Sequence, residues 1–295
     1  MQEGRKLLSM KTTTPRARNS IFHRSSRHGF VLAFGAGLVM VLIFTGSNSA
    51  NGEDRGNVRP AMIGGGPDSV ATHLHYPPKA KAAKDEAAIP FYCEVGATGK
   101  AAFISLFGPD DKTQFRVALL KALETGRFEP AMSGGKRVPV ILGGTAFFMF
   151  RGNQPIIAIS LSTAEKEKTA ALSNFIQPQM LTSNLEFRRK VWYARNDPDL
   201  HFRLGMQPVY PRAAVLAEVD AQGNLISTKV IGESPPGTGY GPWLVKGFQG
   251  AKFIPAFSNG KPVAGQFDMI ANYEKMQIPD HGPIDTHINR DLTNW

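Results

Sequence analysis

The feature that most constrains this chain is a self-match at constant offset. Phe128-Glu129-Pro130-Ala131-Met132-Ser133-Gly134-Gly135-Lys136-Arg137-Val138 realigns with Phe253-Ile254-Pro255-Ala256-Phe257-Ser258-Asn259-Gly260-Lys261-Pro262-Val263, 125 residues on. Upstream, Val95-Gly96-Ala97-Thr98-Gly99-Lys100 echoes Val219-Asp220-Ala221-Gln222-Gly223-Asn224 at an offset of 124. Tyr76-Pro77-Pro78 echoes Tyr210-Pro211-Arg212. A match sustained over this span means two copies of one structural unit, so any fold for residues 73–151 must also serve residues 207–274.

Periodicity supplies that unit. Ile89–Val95 and Ala101–Phe107 read as strands around the turn Ala97-Thr98-Gly99-Lys100, where Gly99 is free to take positive φ. Gly108-Pro109-Asp110-Asp111 stops the second strand and opens a helix. Phe115, Ala118, Leu119, Ala122 and Leu123 share one helical face, and Gly126 ends it. A third strand is expected over Val138–Phe150, with a bulge or bend at Gly143-Gly144. The second copy repeats the order with strands Ala214–Val219, Leu225–Ile231 and Val263–Tyr273. Four glycines around Trp243-Leu244-Val245 and Phe248 predict a short or irregular helix there. The expected class is α+β: two small domains, each a three-stranded antiparallel sheet covered by a helix.

The net charge of +10 is mostly a leader. Residues 1–29 carry seven Lys/Arg and one acid, Glu3, leaving about +4 on the rest. Behind them Phe30–Gly46 is a run of 17 residues without a charge. A basic leader before an apolar run predicts export, with the leader cytoplasmic and the bulk of the chain in the periplasm. The run is expected as a single-pass inner-membrane anchor. The alternative is a cleaved signal, cut near Ser49 or Ala50. Residues 47–72 read as a flexible linker, and residues 275–295 as a polar tail. Between the copies, residues 152–206 hold an expected strand at Ile156–Leu161, a helix at Ala164–Asn174 and a further strand at Phe187–Ala194. Charge concentrated in the leader argues against nucleic-acid binding.

The repeated motifs resemble the C-terminal domain of the TonB family, the periplasmic end of a bacterial energy transducer. The residues that carry the resemblance are Tyr76, Pro77, Gly99, Phe128, Pro130, Gly135 and Lys136 in copy one. In copy two they are Tyr210, Pro211, Gly223, Phe253, Pro255, Gly260 and Lys261. Together the copies cover near half of the chain. The resemblance implies a last strand with an open edge that pairs with an extended peptide of an outer-membrane receptor. Carried over, the partner-binding edges are Val138, Val140 and Leu142, and Val263, Phe267, Met269, Ala271 and Tyr273. The motif residues are expected to be structural, with Phe128 and Phe253 plugging the cores. Two departures point away from energy transduction: Phe30–Gly46 holds no His (His28 lies outside it), and no long Pro-rich spacer follows.

Catalytic readings find little footing. A single cysteine, Cys93, excludes an internal disulfide and a Cys-cluster zinc site, and lies in an expected strand. His73 with His75, and Asp280, His281, Asp285 and His287, are metal-like groupings. Asp197-Pro198-Asp199-Leu200-His201 reads as a turn or helix start. No phosphate loop or nucleophile elbow is present. The expectation is a non-enzymatic protein without cofactor or metal. It would bind extended peptides or proteins by strand addition, with outer-membrane receptors and inner-membrane motor proteins as candidate partners. The alternative is a scaffold whose two domains pair with each other or form a homodimer.

Overall fold

The computed structural model describes residues 40–42, 58–163, 174–193 and 210–273. In chain order, β1 (Met40–Leu42) is followed by β2 (Met62–Ile63), α1 (Val70–His73) and α2 (Pro78–Ala83). Then come β3 (Ala87–Val95), β4 (Ala101–Leu106) and, after a 3-10 turn at Asp110–Lys112, α3 (Thr113–Thr125). The short strands β5 (Phe128–Glu129), β6 (Met132–Ser133) and β7 (Lys136–Arg137) lead into β8 (Val140–Arg151) and β9 (Gln154–Ser160). The next segment holds β10 (Phe175–Ile176), β11 (Gln179–Met180) and α4 (Asn184–Tyr193). Copy two has β12 (Arg212–Val219), β13 (Leu225–Ser234), α5 (Tyr240–Gly247), β14 (Phe253–Ile254), β15 (Ala256–Ser258), β16 (Lys261–Val263) and β17 (Gly265–Asn272). The expected strand–strand–helix–strand order is present twice, in a mixed fold with mostly antiparallel sheets.

The repeat is built on one backbone device. Gly99 and Gly223 have φ of 81° and 83°. Their carbonyls accept from the N–H of Phe128 (2.8 Å) and Phe253 (2.9 Å). A Cβ on either glycine would lie 2.1 Å from the carbonyl oxygen of that same Phe. The hairpin turn is thereby stapled to the strand that carries the aromatic plug. Phe128 and Phe253 are 3% and 5% exposed. Truncating a phenylalanine buried this deeply costs about 3–5 kcal/mol. On α3, Phe115, Leu119, Ala122 and Leu123 are fully buried at helical spacing. The outlying Asp110 pairs with Arg116 at 3.6 Å. Tyr76 lies edge-on to Phe115, Phe148 and Phe150 and donates to the Asp85 carbonyl. Its counterpart Tyr210 is 38% exposed, so the two copies diverge at this position.

Several sequence expectations are corrected. β8 crosses Gly143-Gly144 with no register shift against β3, so there is no bulge. The glycines instead allow close approach: a Cβ on Gly143 would meet the Tyr92 ring at 2.9 Å, and one on Gly144 the Phe91 ring at 2.6 Å. The strand expected over Val263–Tyr273 is two strands. Val263 ends β16, which pairs with β15, whereas β17 pairs with β12. The strand expected at Phe187–Ala194 is α4. Ser183 Oγ accepts from Glu186 N–H, and the Glu186 carboxylate accepts from Ser183 N–H, both at 3.2 Å. This capping box starts a helix whose Phe187 and Val191 face α5. The C-terminal part of the expected linker is structured: Arg59 pairs with Met132, and Met62 and Ile63 pair with Glu129 and Phe128. The helix expected at Ala164–Asn174 lies outside the described residues apart from Asn174, which is a turn.

The structural unit is larger than the motif. In copy one β2 lies on β5 and α1 packs on α3. In copy two β11 lies on β14 and α4 packs on α5. Each copy therefore begins with an extended strap and a small helix. The straps share a Pro-x-Met-aliphatic pattern, Pro60-Ala61-Met62-Ile63 and Pro178-Gln179-Met180-Leu181.

Candidate functional site

The sheet edges, and the seam where the copies meet, are the places where this fold can hold another chain. In copy one the strand order is β4-β3-β8-β9-β1. β3 covers one side of β8 from Val140 to Phe148. On the other side β9 covers Thr145–Arg151, and Met180 of β11 bridges to Ile141. The open edge expected at Val138–Phe150 is therefore not found: β8 is an interior strand. Gly152 turns the chain straight back as β9, so residues that the sequence assigns to the connecting segment close this edge. Val140 and Leu142 are fully buried in the first core, and Val138 lies before the strand.

In copy two the order is β13-β12-β17. Phe267, Met269, Ala271 and Tyr273 are 0%, 6%, 7% and 2% exposed. They face the second core, so none of these side chains is placed to read a partner. The alternate residue Asp268 faces the other way, toward copy one. Tyr92 Oη donates to its Oδ2 at 2.7 Å, and Thr163 Oγ1 donates to its Oδ1. Gln177 Oε1 accepts from the Thr163 N–H at 3.0 Å and lies 3.0 Å from the Thr163 hydroxyl oxygen. Burial, then the Asp268 charge, push the Tyr92 hydroxyl well above its ordinary range, so it remains a donor at neutral pH. The Tyr92 ring reaches Asp268 across the gap left by Gly143.

The strap β11 is the second part of the seam, paired with β8 of copy one and β14 of copy two. The Gln179 side chain, fully buried, binds Ala61 of the first strap at both ends. Ala61 N–H donates to Oε1 at 2.7 Å, and Nε2 donates to the Ala61 carbonyl at 2.8 Å. The cores exchange residues as well: Ile254 of copy two sits in the first core, and Ile141 of copy one in the second. Glu94, beside the seam, accepts from the N–H of Asn184 at the start of α4 (2.8 Å). Burial raises its carboxyl pKa; the Asn184 N–H opposes the shift and Glu186 adds to it.

The remaining edges differ in how they are finished. β4 carries an extra residue opposite Cys93, with Phe103 at φ 50°. β13 carries two register shifts against β12, at Ile226 and Ile231, which are 63% and 53% exposed. Bulges of this kind break the ladder that an incoming strand would need. β9, which has only the three-residue β1 beyond it, has no such interruption: its register with β8 is continuous over Gln154–Ser160.

Candidates for chemistry fare as follows. Among the described residues no group of three or more His, Cys, Asp and Glu is placed to hold a metal. His73 ends α1, with Nδ1 3.0 Å from Thr125 Oγ1. Cys93 is 1% exposed, and burial pushes its thiol far above the ordinary range, so it is no nucleophile. Asp280, His281, Asp285 and His287, and Asp197–His201, lie outside the described residues. Apart from β1, so does Phe30–Gly46; no described helix is long and apolar enough to cross a membrane. No family model matches this chain, and no curated protein does.

Proposed function

We propose that this is a non-enzymatic cell-envelope protein whose two TonB-like repeats bind extended peptides or partner proteins by strand addition. The basic leader stays in the cytoplasm, Phe30–Gly46 is the anchor or export segment, and the repeats work in the periplasm. One observation carries the reading. β11 is an extended segment held by backbone pairing between β8 and β14, so this fold already grips extended chain in that way. The partner meets a sheet edge, where main-chain groups supply affinity.

The test is photo-crosslinking in cells from single positions on the outer sides of β9, β13 and β17, followed by identification of what is captured. Recovery of an outer-membrane receptor or another extended partner at one edge is the expected result. Crosslinks found only between copies of this chain overturn it. They favour the second reading, a scaffold without energy transduction, which the Tyr92–Asp268 bond and the exchanged core residues support.

A further inference from the structure

Among the described strands of six or more residues, β4, β13 and β17 end a sheet and β9 has only the three-residue β1 beyond it; the first three are guarded. β4 and β13 are interrupted by the extra residues at Phe103, Ile226 and Ile231. β17 is braced at Asp268 by Tyr92 and Thr163. β9 has none of these guards. Its sequence, Gln154-Pro155-Ile156-Ile157-Ala158-Ile159-Ser160, holds no charge, and natural edges usually carry one to repel an incoming strand. Ile156, Ile157, Ala158 and Ile159 are all at most 7% exposed, so both faces of the strand are covered, as strands in parallel sheets are. Its outer side is already in use. β1 runs parallel to it in the register Met40↔Ile156, Val41↔Ile157 and Leu42↔Ala158. That ladder begins just after Pro155, which has no N–H to give.

We propose that the outer side of β9 is a strand-acceptor site. Its ligand is an extended, uncharged, apolar peptide segment added parallel to β9. The resident ligand is Met40–Leu42, supplied by the chain's own charge-free run. This deepens the strand-addition reading and rests on it, naming the edge and the class of peptide. It also makes two destinations mutually exclusive: Met40–Leu42 cannot sit in a bilayer and on β9 at once. Insertion of Phe30–Gly46 into a membrane vacates the edge for a partner segment of the same chemistry.

The test uses the full chain with Cys93→Ala, so that introduced cysteines are alone. The matched pairs Met40→Cys with Ile156→Cys, and Leu42→Cys with Ala158→Cys, are expected to oxidise to disulfides. The crossed pairs Met40→Cys with Ala158→Cys, and Leu42→Cys with Ile156→Cys, are not. A synthetic peptide of residues 38–45 with a lysine tail, added in excess, lowers the matched yield about tenfold by mass action. Equal oxidation of matched and crossed pairs, or no effect of the peptide, overturns the proposal. Hydrogen exchange gives a second readout that needs no cysteine in the core. Val41→Pro removes a ladder donor outside β9, and exchange of the β9 amides is expected to rise about tenfold while β3 and β8 hold. Unchanged β9 exchange overturns the site. Failure of the matched disulfides while β13 or β17 still captures a partner in cells overturns this site alone. Displacement by the peptide, with no cellular partner at any edge, supports the site and removes the broader reading.

Discussion

Replacing Gln179 by Leu tests whether the two straps are coupled through one side chain. Gln179 and Ala61 are both fully buried, and the two hydrogen bonds between them are 2.7 and 2.8 Å. Leu keeps nearly the same volume, so the cavity contribution is small. What is lost is the partner of a buried backbone N–H and of a buried backbone C=O. Each unsatisfied group costs about 1–3 kcal/mol, so Gln179→Leu is expected to destabilise by about 2–6 kcal/mol. Urea unfolding followed by tryptophan fluorescence reads this, since Trp243 is 2% exposed in the second core. Hydrogen exchange at Ala61 should report the same loss locally. Gln179→Glu keeps an acceptor for the Ala61 N–H but loses the donor and buries a charge. Its cost should exceed that of Leu at pH 7 and shrink in acid, where the carboxyl takes a proton and donates. A Gln179→Leu cost below about 0.5 kcal/mol would refute the reasoning, because the Ala61 groups must then find other partners without penalty.

Gly99→Ala and Gly223→Ala should each cost about 3 kcal/mol or more in denaturant unfolding, combining a left-handed backbone with a Cβ 2.1 Å from a carbonyl oxygen. Near-equal losses check that the two turns are equivalent devices. Glu94→Gln should stabilise the protein at pH 7, because burial raises the native carboxyl pKa and the ionised form is disfavoured in the fold. The sign follows from the native state binding the proton more tightly: the gain is absent below the unfolded value near 4.5 and opens as pH rises through the native one. In an alkaline titration read by tyrosinate absorbance, Tyr76, Tyr92 and Tyr240 should ionise above the ordinary tyrosine range. Tyr76 is pushed up to about 12 by burial and then by Glu86 and Asp85. Its contribution to stability is complete below pH 10 and lost as pH rises toward 12, which a pH series of unfolding midpoints measures.

Periodicity and the internal match carried most of the local structure of both copies. The hairpins, α3, the aromatic plugs and the turn glycines depend on neighbours within a few dozen residues, and the same requirements are written twice. The straps were legible in principle, through the recurrence of Pro-x-Met-aliphatic, but two-residue strands have no period to detect. The helix at Asn184–Tyr193 was also legible, since the Ser183–Glu186 capping box precedes it; the aromatic, β-branched run at Phe187–Tyr193 obscured it.

What tertiary structure alone decided is which edges remain for a partner. An edge is a statement about what lies beside a strand, and the neighbour comes from anywhere in the chain. β9 and β11 close the strand expected to be open, and Tyr92 crosses Gly143 to hold Asp268 about 176 residues away in sequence. Met40–Leu42 joins β9 across more than a hundred residues. Local sequence sets which segments extend and which coil, because backbone torsions answer to near neighbours. Pairing between extended segments needs only free N–H and C=O groups, which every segment has, so shape and burial choose among them.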